Sequence, residues 1–118
     1  MKVYSWSELP PEEARAGVVR RAFANSDVMV VHHFLHPGME TRPHVHDFDQ
    51  MVCVIDGEVF FTVEGKRHRT RTGDVFNIPA GAVHFAEVPG DRIVTTLDIF
   101  APPRKDYSHL VSYLEQAD

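Results

Sequence analysis

Residues 38–57 decide the fold, and they read GMETRPHVHDFDQMVCVIDG. His44 and His46 stand two positions apart, and Gln50 follows four positions after His46. Residues two apart in a strand point to the same face, so both imidazoles face one side of the sheet. Gly38 and Gly57 mark turns at the two ends, and turns at both ends of a strand pair set the register that aims these side chains.

Residues 73–88, GDVFNIPAGAVHFAEV, form a second stretch of this kind. Gly73 and the turn sequence Pro79-Ala80-Gly81 frame a third histidine, His84. With Gln50, the three histidines offer three imidazole nitrogens and one amide oxygen. Such donors suit Zn, Ni, Fe or Mn alike, so the sequence predicts one divalent transition metal without choosing among them.

Two interpretations of Gln50 stay open. As a neutral ligand beside neutral imidazoles, Gln50 leaves the metal its full double positive charge, which favours an anionic substrate or a developing enolate. Alternatively, Gln50 only lines the wall, because on a regular strand it shares a face with Val52 and Val54.

The other five histidines, which include His36, lie outside the two stretches framed by glycine and proline. His68 and His109 are interpreted as surface residues. His32 and His33 are adjacent, so they face opposite sides of one strand, and no partner signal surrounds them.

The chain from Gly17 onward alternates between strand-like runs and turn signals. Some eight short strands are predicted, at 18–23, 28–35, 50–55, 58–63, 67–71, 75–78, 82–88 and 92–100. This pattern indicates a β-sandwich or barrel. Residues 1–17 are expected to be irregular because Pro10 and Pro11 disfavour a regular strand, although a short helical turn can follow them.

A short helix is predicted at the C-terminus, where apolar residues recur at helical spacing after Pro102-Pro103. They are Tyr107, Leu110, Val111 and Leu114. Its apolar stripe is expected to pack on the barrel.

Composition bounds the class of protein. The 118 residues are 43% hydrophobic and 25% charged, which suits one globular domain. The net charge of −5 argues against nucleic acid as a partner. The one cysteine, Cys53, excludes an intrachain disulfide and is expected to be buried and inert. Without a signal-like or membrane-spanning apolar stretch, the expectation is a cytoplasmic protein with no membrane partner.

Asp98 stands between Leu97 and Ile99 in the alternating run 92–100. A carboxylate in such a run needs a partner or a function. From the residues alone, an ion pair with Arg104, a surface position and a catalytic role all remain open.

Together, the two stretches resemble the motifs of the cupin superfamily. The first motif is Gly, five residues, His-x-His, three or four residues, an acid, six residues and Gly, and its positions are filled here by Gly38, His44, His46, Gln50 and Gly57. The second motif spans 73–88, with Val88 in place of an asparagine that is not a ligand. The resemblance covers residues 28–104 and implies an all-β cupin jelly-roll β-barrel with the metal inside, commonly a homodimer. It predicts a single cupin domain over 1–118.

A narrower resemblance is to the small KdgF-type cupins that linearise 4,5-unsaturated uronates from pectin and alginate. It rests on HVHDFDQ at 44–50 and DIFAPPR at 98–104. That family holds its metal with three His and a Gln, and an Asp, a Phe and an Arg complete its site. Here the resemblance implies that Asp98 shuttles the proton, Phe100 walls the ring and Arg104 holds the carboxylate of a small anionic sugar.

Two other functions are compatible with these motifs. One is a different metal cupin, either an iron dioxygenase or a keto-acid isomerase. The other is a sugar- or metabolite-binding cupin without catalysis. For a homodimer, the segment around Trp6 and residues 18–23 are candidates for pairing with a second subunit, because open barrels have edges to cover.

Overall fold

The computed structural model describes residues 1–116, which form nine strands and two 3₁₀ helices. The helices are Trp6–Glu8 and Lys105–Gln116. The strands are β1 (Glu12–Arg15), β2 (Val18–Ala24), β3 (Met29–Leu35), β4 (Gln50–Asp56), β5 (Glu58–Val63), β6 (Lys66–Arg71), β7 (Val75–Ile78), β8 (His84–Glu87) and β9 (Val94–Phe100).

The strands form two antiparallel sheets, one with the order β1-β2-β3-β9-β4-β7 and one with the order β6-β5-β8. Alternation along β4 and β9 buries one face of each strand. The main core cluster comprises Val18, Leu35, Met39, Val52, Val54, Val59, Phe61, Ile78, Ala82 and Val94. The predicted all-β fold with a short C-terminal helix is confirmed.

The C-terminal helix closes one end of the larger sheet. Leu110 is buried in a second cluster with Phe100, and Tyr107 and Val111 pack against that cluster. The Tyr113 hydroxyl donates a hydrogen bond to the Ala22 carbonyl at 2.6 Å. The predicted stripe therefore holds the helix beside β2 and the end of β9.

β1 corrects the expectation that residues 1–17 are irregular. The strand begins directly after Pro11, a position where proline is tolerated at a sheet edge. Glu12 and Glu13 pair with Arg20 and Val19, and a bulge follows before Arg15. The sequence Glu-Glu-Ala-Arg has no apolar alternation, so this strand depends on pairing with β2. The short helical turn precedes the prolines, at Trp6–Glu8, instead of following them.

Gly57 shows why the first motif closes with glycine. Its φ is +109°, and a Cβ at this position would lie 3.0 Å from Val94 Cγ2. A larger residue would therefore force the β4–β5 turn away from the core.

The N-terminal segment packs on the outer face of its own sheet. Trp6 lies against His32 with ring centroids 5.2 Å apart, and Tyr4 lies 5.5 Å from Phe23. His32 is thus on the outer face and His33 on the inner one, as predicted. Pairing with a second subunit stays a prediction.

The outer face of β4 corrects the expectation for Cys53. Cys53 is half-buried, because it alternates with the fully buried Val52 and Val54 and shares its face with the exposed Met51 and Ile55. No helix within residues 1–116 is long and apolar enough to cross a bilayer.

Candidate metal and substrate site

The two sequence motifs meet through a short backbone bridge between His44 and His84. The His44 amide donates to the His84 carbonyl at 2.8 Å, and the His84 amide donates to the His44 carbonyl at 2.9 Å. The ring centroids of His44 and His84 lie 5.9 Å apart, and those of His46 and His84 lie 4.9 Å apart. The predicted imidazoles are therefore neighbours in space.

Hydrogen bonds to carbonyl oxygens set the tautomers of His46 and His84. The Nδ1 of His46 lies 2.9 Å from the Phe48 carbonyl, and the Nδ1 of His84 lies 2.9 Å from the Ala82 carbonyl. A carbonyl only accepts, so each Nδ1 carries the proton and, in a neutral ring, each Nε2 keeps a free lone pair. This is the arrangement that metal-binding histidines use.

Gln50 is buried at the start of β4 and faces into the site, as the regular strand requires. Its Nε2 donates to Asp98 Oδ2 at 2.7 Å, which turns its Oε1 toward His46. Gln50 Oε1 and His46 Nε2 lie 3.0 Å apart. Two acceptors this close need a cation between them, either a proton on the ring or a metal ion.

Burial keeps two of the imidazoles neutral. It lowers the pKa of His44 to about 4, with the positive charge of Arg15 as the next cause. Burial also lowers the pKa of His84. Neutral imidazoles are the form that binds a metal, so the donor chemistry fits a divalent transition ion. Within residues 1–116 no group of three His, Cys, Asp or Glu side chains is arranged to hold a metal ion, and the fourth predicted donor is the amide of Gln50.

The pKa of His44 predicts how the metal-free protein responds to acid. An unfolded His44 would titrate near its ordinary 6.5, whereas the folded one titrates near 4. Between these values the unfolded chain binds more protons, so the free energy of unfolding falls as pH drops through this window. Thermal unfolding of metal-free protein at about pH 7 and about pH 4.5 measures the fall.

His44→Gln should lose part of this acid response, and the exposed His68→Gln should keep it. If His44→Gln showed the full wild-type fall in melting temperature, burial of His44 would not be the cause.

Asp98 lies on the inner face of β9 and is only 6% exposed, which rules out a surface position. It accepts hydrogen bonds from Gln50 Nε2 and from Thr96 Oγ1, the latter at 3.3 Å. The ion pair with Arg104, one of the three interpretations left open, is not formed, and Arg104 pairs instead with Asp106 at 2.7 Å. Asp98 therefore faces the cavity, and its catalytic role stays a prediction.

Arg104 is held in an aromatic frame. Its guanidinium carbon lies 3.7 Å from the ring centroid of Tyr107, 4.8 Å from Phe48 and 4.9 Å from Phe100. Burial raises the pKa of the Tyr107 hydroxyl, and the hydrogen bond from Arg104 lowers the pKa of Asp106. Arg104 is thus a rigid, charged part of the wall.

All seven predicted site residues line one cavity of about 430 Å³: His44, His46, Gln50, His84, Asp98, Phe100 and Arg104. Phe100 is 2% exposed and presents an apolar surface between Phe48 and Tyr107, with ring centroids 5.7 and 6.1 Å away. The volume suits a small polar ligand such as a monosaccharide.

The sequence does not predict His33 as part of the site. Its Nδ1 lies 3.5 Å from Asp98 Oδ2, and it pairs with Thr96 across β3 and β9. Val31 and Leu35 each stand two positions from His33, and both are buried. Because residues two apart in a strand share a face, this spacing is the sequence signal that places His33 on the inner face. Arg15, Arg20, Arg42, Phe48 and Tyr107 also line the cavity without having been predicted.

Comparison with known proteins assigns the family. The cupin domain family matches residues 31–100, more than half of the chain and both motif regions. The chain is a member of the cupin family.

This cupin is similar to the pectin degradation protein KdgF of Dickeya dadantii (strain 3937). The two are 32% identical over 103 residues, which cover 85% of this chain and 92% of the relative. Two solved structures share the fold with a TM-score of 0.78 each. KdgF from Halomonas sp. is 26% identical and covers 90% of this chain and 97% of its own. An RmlC-like cupin from Shewanella frigidimarina NCIMB 400 is 27% identical, covering 91% and 96%.

Proposed function

We propose that this cupin opens the ring of 4,5-unsaturated uronate monosaccharides and yields linear keto-uronates, with one divalent transition metal (Zn, Ni, Fe or Mn) bound in the cavity. The observation that carries the proposal is that three histidines and a glutamine line one cavity together with a buried carboxylate, an aromatic wall and a cationic group. Similarity to KdgF over most of the chain supports the substrate class.

The metal would be held by His44, His46, Gln50 and His84, and when bound it supplies a Lewis acid for negative charge on substrate oxygens. The reaction is an isomerisation, so every atom is retained. The C1 hydroxyl loses its proton, the bond between C1 and the ring oxygen breaks to give an aldehyde, and C4 gains a proton as the enol oxygen at C5 becomes a ketone.

Asp98 takes the C1 hydroxyl proton and returns it to C4, acting as general base and then general acid. Its hydrogen bonds from Gln50 and Thr96 fix the carboxylate for both transfers. Phe100 supports the sugar ring with an apolar surface. The N–H groups of Arg104 that Asp106 does not use attract the uronate carboxylate into the cavity.

Ring opening of freshly made unsaturated galacturonate tests the proposal. Loss of the conjugated ultraviolet absorbance is followed for metal-loaded protein against a protein-free control, since the ring also opens unaided. A rate well above the control supports ring opening. No acceleration by protein with confirmed bound metal would overturn it, and oxygen uptake by the iron form would then indicate a dioxygenase.

His33 is expected to position Asp98. His33→Leu removes the contact at 3.5 Å, which is longer than a firm hydrogen bond, so kcat should fall by only about threefold to tenfold while KM stays close to wild type. His33→Gln retains a donor and should recover part of the loss. Steady-state kinetics of both variants give the kcat and KM. An unchanged kcat in His33→Leu would contradict the positioning role.

A further inference from the structure

Four arginine side chains line the cavity: Arg15, Arg20, Arg42 and Arg104. Three of them have a carboxylate partner, in the pairs Arg20–Glu12, Arg42–Glu40 and Arg104–Asp106. Arg15 differs, because within residues 1–116 no carboxylate lies at salt-bridge distance from it. Glu40, which pairs directly with Arg42, offsets the charge of Arg15 only at longer range.

The backbone around Arg15 fixes where its side chain lies. A Cβ on Gly17 would lie 2.7 Å from the Met39 Cα, so the β1–β2 turn packs tightly on residues 39–40. The Glu40 amide donates to the Ala16 carbonyl at 2.8 Å, and Arg15 Nε donates to the Glu40 carbonyl at 3.0 Å. This neutral contact occupies Nε and leaves the Nη1–Nη2 edge for a ligand.

The electrostatics of Arg15 favour an anion. Burial lowers its pKa, and the positive charge of Arg42 lowers it further. Arg15 remains protonated at neutral pH, so its charge is partly removed from water at a cost in free energy. A bound anion would reduce that cost, because an opposite charge stabilises the protonated guanidinium. Arg15 lines the same cavity as the three predicted metal-binding histidines.

Arg104 has fewer free N–H groups for a carboxylate ligand than Arg15 has. Its Nε and Nη2 both donate to Asp106, at 3.1 and 2.7 Å, so this edge of the fork is occupied. Its planar face lies on Tyr107. Arg104 therefore keeps its Nη1–Nη2 edge beside a carboxylate that compensates its charge, whereas the same edge of Arg15 has no carboxylate at salt-bridge distance within residues 1–116.

We propose that Arg15 is the specificity-determining residue of the cavity, binding the carboxylate of the sugar through its Nη1–Nη2 edge and so selecting uronates over neutral sugars. This inference rests on the proposed function for the substrate class. Two substitutions serve as matched comparisons. Arg42 is a second cavity arginine whose charge is neutralised by Glu40, and Arg15→Lys keeps the charge of Arg15 but loses its fork.

Equilibrium binding tests the inference without any reaction. Saturated galacturonate and the neutral galactose are titrated by calorimetry into metal-loaded wild type, Arg15→Gln and Arg42→Gln. The expected result is that galacturonate binds more tightly than galactose to wild type, and that Arg15→Gln weakens galacturonate about tenfold or more, the effect of losing a charged hydrogen bond. Arg42→Gln should change it less than about twofold, and galactose binding should not respond.

Ring-opening kinetics give the second readout. Arg15→Gln should raise KM about tenfold with kcat within about threefold of wild type, because the carboxylate contact is made equally in ground and transition states. The KM of Arg15→Lys should lie between those of wild type and Arg15→Gln. Circular dichroism confirms folding, and if Arg15→Gln fails to fold, the affinity of Arg15→Lys decides.

Equal losses of galacturonate affinity in Arg15→Gln and Arg42→Gln would overturn the inference. Such a result would show that the sugar responds only to the total positive charge of the cavity. Unchanged galacturonate affinity and KM in Arg15→Gln would also overturn it while leaving ring opening intact. Conversely, wild type that opens no ring but binds galacturonate through Arg15 would refute the proposed reaction and support the inference.

Discussion

Replacement of Asp98 by asparagine is expected to lower kcat for ring opening by about 10²- to 10⁴-fold, the range that a positioned general acid–base group contributes. An amide cannot take a proton from the C1 hydroxyl or return one to C4. The substitution preserves shape, and the new amide oxygen can still accept the hydrogen bond from Gln50 that is 2.7 Å long in the wild type. The loss would therefore report chemistry and not a displaced Gln50.

Two measurements separate this effect from structural damage. Metal content of Asp98→Asn should equal that of wild type, because Asp98 contacts a proposed ligand without being one. The matched control is Asp47→Asn, which makes the same change in charge at an exposed position of the first motif and should retain activity. Folded, metal-loaded Asp98→Asn with wild-type kcat would eliminate Asp98 as the proton shuttle.

The second large effect is expected from His84→Ala, which should weaken metal binding by more than about 100-fold. Loss of groups that merely support a ligand costs about 10- to 100-fold, so loss of a ligand should exceed that. The backbone bridge between His44 and His84 does not depend on the imidazole, so the motifs should stay together. Activity should fall to the protein-free rate.

Thermal stabilisation by added metal measures this affinity independently of catalysis. Wild type should gain about 3 kcal/mol of unfolding free energy at a metal concentration 100 times its dissociation constant, whereas His84→Ala should gain little at that concentration. His68→Ala, at an exposed position of β6, is the control and should behave as wild type. Equal stabilisation of His84→Ala and wild type would remove His84 from the ligand set.

Much of the barrel could be predicted from local pattern. β5 and β7 have the predicted bounds, because alternation and flanking turn residues are properties of a few adjacent positions. The strand at Glu12–Arg15 has no such pattern. Its stability comes from pairing with β2 and from contacts such as Glu12 with Arg20, eight residues away. Pairing of this kind is absent from any short window of sequence.

The residues of the site differ in whether nearby sequence is enough to predict their role. His44, His46 and Gln50 could be predicted as candidate metal donors from motif spacing. The expected strand geometry was wrong for the two histidines, because His44 forms only an isolated bridge with His84 and β4 begins at Gln50. The partner of Arg104 could not, because Asp98 and Asp106 are both near it in sequence and the chain direction after Pro103 decides between them. His33 and Arg15 gain their significance only from neighbours on distant strands.

The sequence alone thus determined the class of fold, the candidate metal donors, and the presence of a carboxylate, an aromatic residue and an arginine at or just after the end of β9. Each depends on period, turn residues or motif spacing, which are local. Tertiary structure decided that Gln50 faces both His46 and Asp98 and that Asp106 occupies one edge of Arg104. It also decided that Arg15 lines the cavity with no carboxylate at salt-bridge distance within residues 1–116. These relations depend on sheet order and register, since only the folded chain sets which distant side chains share a cavity.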